Sequence, residues 1–199
     1  LGGEANGIYT VANKLPTMLT LLSGVLMQAW QYSAVREAKS SLREQADFYS
    51  NVWLALFSAM FLACSGMIAF AKIEIRVLAD ASYYDAWQYV PMLCASMLFC
   101  AFTAFMGSVY TVTQKSTLSF YTSLLGAGTN IVLNALLIPS PLGVQGAAIA
   151  TFASYFVVFL VRAKSARNLI PFRLFKKELF LSTAVLAVQI LFITFAWHG

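Results

Sequence analysis

The chain has 199 residues, 60% of them hydrophobic and only 11% charged, with a formal net charge of +5. Soluble domains carry about 45–50% apolar and about 25% charged residues, so a fold that hides this much apolar surface from water is excluded. In so apolar a chain the excess of 13 Lys+Arg over 8 Asp+Glu reports orientation in a membrane rather than nucleic-acid binding.

Six apolar stretches are expected, at about 8–34, 51–78, 87–112, 117–138, 144–161 and 179–197. About 20 mostly apolar residues cross the ~30 Å hydrocarbon core as a helix rising ~1.5 Å per residue. Lipid offers the backbone no hydrogen bonds, so such stretches must be helical. The expected fold is an all-α integral membrane protein, a polytopic helical bundle. The chain opens on Leu1 without a signal-peptide pattern and contains no convincing internal repeat, which suggests a piece of a longer protein.

The first span contains Pro16, which packed neighbours can accommodate in a membrane. It also contains Lys14, about seven residues in, hence roughly 10 Å below the outer edge. An ammonium at the bilayer centre costs ~2.5–3.5 kcal/mol on insertion scales. Two readings of Lys14 stand: it faces a wet cavity or an anion, or it snorkels to the surface on its long stem. Asn13 adjoins it, and Gln28 and Gln31 lie i, i+3 near the opposite end. No Asp or Glu is expected well inside any span.

Basic residues fall mainly on one side. Arg36, Lys39 and Arg43 follow span one, Lys115 follows span three, and Arg162, Lys164, Arg167, Arg173, Lys176 and Lys177 follow span five. By the positive-inside bias that side is cytoplasmic, and both ends of the chain lie outside. The Arg162–Lys177 run reads chiefly as an orientation signal against anionic headgroups, so membrane lipids are expected partners. Trp30 and Tyr32 on one side, and Tyr83, Tyr84, Trp87 and Tyr89 on the other, suit interfacial belts. In span four Asn130 and Asn134 are i, i+4 and share a face, as interhelical glue or as cavity lining. Ser140-Pro141-Leu142-Gly143 separates spans four and five. Gly146, Ala150 and Ala153 or Ser154 make a small-residue stripe for close helix packing, with Gly126 and Gly128 as further candidates. Cys64, Cys94 and Cys100 read as apolar filler, since their spacing fits neither a zinc site nor a disulfide framework.

Enzymatic chemistry is not expected within these residues. The single histidine, His198, excludes a His-based zinc site or catalytic dyad, and no phosphate-cradling Gly-rich loop occurs. No cofactor or metal is expected, whereas a carrier needs only a cavity and two packings of its helices.

Several stretches together resemble a known family. Gly7-Ile8-Tyr9-Thr10-Val11-Ala12-Asn13-Lys14 resembles a helix entry in the second half of bacterial polysaccharide flippases. Gln28-Ala29-Trp30-Gln31-Tyr32-Ser33-Ala34, then a charged loop and Phe48-Tyr49-Ser50, resembles the next boundary there. Asn130-Ile131-Val132-Leu133-Asn134-Ala135-Leu136-Leu137-Ile138-Pro139, followed by Gly143-Val144-Gln145-Gly146-Ala147-Ala148-Ile149-Ala150-Thr151, resembles their Asn-rich helix and its successor. The family is the polysaccharide-transporter branch of the multidrug/oligosaccharidyl-lipid/polysaccharide flippase superfamily. Nearly the whole chain would be its C-terminal half, without that half's first helix and with the last span as an added helix. Many relatives carry a Pro where this chain reads Trp30-Gln31-Tyr32, which marks a subfamily.

The resemblance implies two helical bundles around a central cavity, alternating access, and a missing N-terminal bundle of the same protein as partner. It implies an undecaprenyl-pyrophosphate-linked oligosaccharide as cargo, moved across the bacterial cytoplasmic membrane. Lys14 and Asn13 would be the leading substrate contacts, with Gln28, Gln31, Asn130 and Asn134 lining the path. The alternatives are a cation-coupled drug exporter of the same superfamily and a membrane-embedded glycan polymerase or ligase.

Overall fold

The apolar runs form α-helices, because only i→i−4 bonding satisfies a backbone surrounded by hydrocarbon. The computed structural model describes residues 3–37 and 40–195, excluding the side chains of residues 4, 5, 31, 32, 35, 36 and 195. Six α-helices follow in order: α1 Gly3–Glu37, α2 Leu42–Leu78, α3 Val90–Val112, α4 Ser116–Leu137, α5 Gly143–Leu169 and α6 Lys176–Phe195. A 3-10 turn, Ala81–Gln88, joins α2 to α3, and no strand occurs among the described residues.

Local chemistry sets the boundaries and moves several from where hydropathy alone puts them. A capping box starts α2 at position 42, well before the expected 51: Ser41 N donates to Glu44 Oε2 at 2.9 Å and Glu44 N to Ser41 Oγ at 3.4 Å. Asp80 Oδ1 accepts from Ser82 N and caps the 3-10 turn, so the third span begins at Val90 with Pro91 in its first turn, not at Trp87. No Gly or Pro interrupts the chain between Gly146 and Pro171, and α5 runs on to Leu169, eight residues past its expected end. Arg162, Lys164 and Arg167 are therefore helical rather than part of a connection.

Among the described residues, α2 to α6 are long and apolar enough to cross a membrane. Helix α1, at 35 residues, is as long but less apolar, because Asn6, Thr10, Asn13, Lys14 and Thr17 dilute it.

Helix α3 is the spine. Fifteen of its residues are buried, against α1, α2 and α5. Around it Trp53, Phe57, Phe99, Phe102, Phe105 and Phe159 interlock, with Trp53 and Phe102 ring centroids 4.9 Å apart. Such pairs add about 0.5–1.5 kcal/mol beyond area burial. By contrast, among the described side chains α4 buries only Thr122, and α6 only Leu186. The exposed faces of α4 and α6 carry Phe120, Leu124, Ile131, Leu136, Phe180, Val188 and Phe192, an outer surface suited to acyl chains.

Two expected interfacial aromatics belong to the core instead. Trp30 is 8% exposed and packs on Phe48, Tyr49 and Phe105, because α2 begins early enough to bring Phe48 and Tyr49 beside it. Trp87 is 5% exposed, with Lys72 Nζ 3.9 Å from its ring centroid. Tyr32 lies outside the described side chains, whereas Tyr83 is exposed as expected and rests on Gly7.

Small residues let α4 and α5 close into a hairpin, turned by Gly143 at φ +47°. Ala150 and Ser154 are buried, and a Cβ on Gly146 would lie 2.6 Å from the Leu137 carbonyl oxygen. One on Gly126 would lie 2.6 Å from Val158 Cγ2. Gly128 differs: a Cβ there meets nothing within 4 Å, so it takes no part in the close approach.

Helix α6 is tethered chiefly to α2. Gln189 Nε2 donates to the Ser65 carbonyl at 2.9 Å, and Ser65 Oγ donates to Gln189 Oε1 at 2.8 Å. Cys64 and Cys94 are packed in the core as free thiols.

Gly146→Ala should lower the thermal unfolding midpoint in detergent, at a cost of about 1–3 kcal/mol for overpacking. Gly128→Ala should leave the midpoint unchanged or raise it slightly, and equal losses at both positions would contradict the asymmetric packing.

Candidate functional site

Arg162 lies seven residues before the end of α5, about 10 Å inward at helical rise, and is 8% exposed. No ion pair reaches it among the described residues; hydroxyls and carbonyls surround it instead. Its Nε donates to Thr122 Oγ1 at 2.8 Å and its Nη1 to the Thr103 carbonyl at 2.9 Å. Its Nη2 donates to Ser123 Oγ at 2.9 Å and to the Ser119 carbonyl at 3.2 Å. The guanidinium thereby joins α3, α4 and α5. Four of its five N–H groups are engaged, leaving one on Nη1.

The local sequence explains this receptacle. Ser119, Thr122 and Ser123 recur at i, i+3, i+4 on α4, so their polar groups share one face. On α3, Gly107 leaves the space that the guanidinium fills: a Cβ there would lie 2.9 Å from Arg162 Nη1. Next along α5, Ser165 and Tyr110 form a close hydroxyl–hydroxyl hydrogen bond that pins the same two helices.

Arg162 lines two clefts. One, about 420 Å³, lies between α4 and α5 and includes Ser123, Asn130, Thr151, Ser154 and Tyr155. The other, about 610 Å³, has α1 and α4 as its sides and α3 as its floor, with Thr20, Ser23, Gly24, Gly107 and Ser108 among its walls. A fixed positive charge between two partly polar clefts in an apolar bundle favours anionic guests, since the low dielectric strengthens the attraction.

The residues expected from sequence do not converge on one site. Lys14 is exposed on the face of α1 that also presents Asn6, Thr10 and Thr17, and it lines neither cleft. Asn13 is half-buried and donates from Nδ2 to the Tyr9 carbonyl at 3.0 Å, within its own helix. Gln28 is exposed further along α1, and the side chain of Gln31 lies outside the described residues. Asn130 and Asn134 do share a face. Asn134 Nδ2 donates to Asn130 Oδ1 at 2.9 Å, and Asn130 Nδ2 reaches Ser154 Oγ on α5 at 3.5 Å. Asn130 therefore links helices and lines the smaller cleft at once.

In the sequence Arg162 looks like the first residue of a basic connection, and nothing in that run marks it as a site. The signals were the unbroken helix up to Pro171 and the hydroxyl-rich face of α4. Glu74, on the last turns of α2, was likewise passed over. Its Oε2 is buried without a hydrogen-bond partner among the described residues, so one carboxylate does lie partly within the helical bundle.

No family model matches the chain, and no solved structure matches it. A curated relative is an uncharacterized membrane protein of Methanocaldococcus jannaschii, 25% identical over 112 residues. The match covers 56% of this chain and 22% of that protein, so the chain matches about a fifth of the relative's length. With the apolar helices, this identifies the chain as an all-α, multi-pass membrane protein.

Gly107→Ala should displace the pinned guanidinium and destabilise the bundle by about 1–3 kcal/mol. Detergent unfolding would show this as a lower midpoint. A midpoint equal to the parent's would mean that Arg162 shifts without loss of its bonds.

Proposed function

We propose that the chain forms part of a flippase that carries a lipid-linked oligosaccharide across a bacterial cytoplasmic membrane for surface polysaccharide synthesis. The observation that carries this reading is Arg162: a membrane-embedded guanidinium with hydroxyl and carbonyl partners, at the boundary of two clefts. A pyrophosphate-linked sugar presents an anion beside many hydroxyls. The remaining N–H of Arg162 suits the former, and Asn130, Ser123, Thr151 and Ser154 suit the latter. The exposed ammonium of Lys14 supplies a second cation toward the other end of the bundle, about 16 Å along α1 from Gly3 at helical rise. In an alternating-access carrier, cations at both ends receive and release the same anion. The sequence resemblance to polysaccharide flippases supports this reading too.

Glu74 gives the second reading, a cation-coupled exporter, a specific observation of its own: a buried, unpartnered carboxylate oxygen is a place for a proton or a cation. Glu74→Gln would abolish transport driven by a cation gradient under that reading. It would spare glycan export under the first.

The direct test is export of surface glycan in cells that depend on the full-length protein. Lys14→Ala should reduce export about 10–100-fold at unchanged membrane abundance, the loss expected for one charge-assisted hydrogen bond of ~1.5–3 kcal/mol. Arg162→Lys should reduce export by a similar factor per folded molecule, because an ammonium keeps the charge but not the planar fork; folded protein is measured alongside, since the lost bonds also join α3, α4 and α5. Normal export by Lys14→Ala would remove Lys14 from the path, and normal export by both variants would overturn the proposal.

A further inference from the structure

We propose that the groove between α5 and α6 holds an anionic phospholipid of the cation-rich leaflet, with one acyl chain between the helices and its phosphate at their basic ends. The inference stands apart from the transport reading.

The groove encloses about 750 Å³. Its walls are Phe156, Phe159 and Leu160 from α5 and Leu179 and Phe180 from α6, with Phe99 of α3 at its base. On α6 the lining positions Lys176, Leu179, Phe180 and Thr183 follow i, i+3, i+4, i+7, so a single face of the helix forms the wall. Glu178 points off that face and is absent from the lining. All the cations gather at one end: Lys164 and Arg167 on α5, and Lys176 on the first turn of α6. Lys164 and Lys176 are exposed, and Arg167 is held in place by a 3.1 Å bond from Nε to the Phe172 carbonyl.

Length identifies the occupant. From Phe156 to Arg167 is eleven residues, about 16 Å at helical rise, close to half of the ~30 Å hydrocarbon core. A transmembrane helix would need the full thickness; one leaflet's acyl chain needs half. The sign of the charge identifies the headgroup. Three cations at the mouth match a phosphate that carries net negative charge, and the basic end of a helical membrane protein faces the cytoplasm, whose leaflet is the anionic one. Phe180 and Leu160, both exposed, would lack dispersion contacts on the groove side if it stood unfilled, so hydrocarbon occupancy also stabilises the pair of helices.

Native mass spectrometry of the full-length protein in detergent, titrated with phosphatidylglycerol or phosphatidylcholine, tests this. Phosphatidylglycerol should bind at least tenfold more tightly. Lys164→Gln and Lys176→Gln should each weaken it about fivefold, and the double variant should bind both lipids alike. Arg43→Gln, a basic residue elsewhere, should bind as the parent does. Leu160→Trp should block both lipids by filling the groove. Equal binding of the two lipids by the parent, an intact preference in the double variant, or exclusion of both lipids by the parent would each overturn the assignment. The last would mean that another helix of the protein already occupies the groove.

Discussion

Hydrocarbon accepts and donates no hydrogen bonds, so most polar groups that these helices carry inward find a partner in the protein, the buried Glu74 Oε2 being an exception. Arg162 is the sharpest instance. Its charge is costly in lipid, and no carboxylate offsets it among the described residues; two neighbouring helices, α3 and α4, supply two hydroxyls and two backbone carbonyls instead. The same constraint explains smaller features. Thr10, Asn13 and Thr17 each turn back to a carbonyl four residues earlier on α1, and Thr113, Thr122 and Thr151 do so elsewhere. The Ser65–Gln189 clasp satisfies an amide that would otherwise face lipid alone.

Packing then does what the hydrophobic effect cannot do between helices already in oil. Where side chains are large, as along α3, aromatic rings interlock around Trp53 and Phe102. Where they are absent, as at Gly126 and Gly146, backbones approach until a single methyl would collide. Helix α4 touches the chain mainly through that close approach to α5, and α6 lies outside both regimes. Both bury few side chains, so their outer apolar faces belong to lipid or to further protein.

Fold class was legible because the length and apolarity of a membrane helix are demands on composition, which sequence displays directly. The α4–α5 turn was legible for a similar reason: Ser140-Pro141-Leu142-Gly143 carries its own breakers. Boundaries set by side-chain caps were not, since Ser41 and Glu44 extend α2 into residues that hydropathy assigns to a loop. Among the site residues, the Asn130–Asn134 pair could be read because i, i+4 neighbours are fixed by helical geometry alone. Arg162 could not: its partners lie 39 to 59 residues away on two other helices. A basic residue near a span's end looks the same in sequence whether it faces headgroups or three packed helices. Trp30 misled for the same reason, since only tertiary contacts distinguish a core indole from an interfacial one.

The order of these contacts along the chain matters for synthesis. Thr103, Ser119, Thr122 and Ser123 all precede Arg162, on α3 and α4. When ribosomes deliver α5 to the membrane, every residue that bonds its guanidinium has already been translated. Helix α5 can therefore complete the pocket on arrival, without waiting for any residue still to be made.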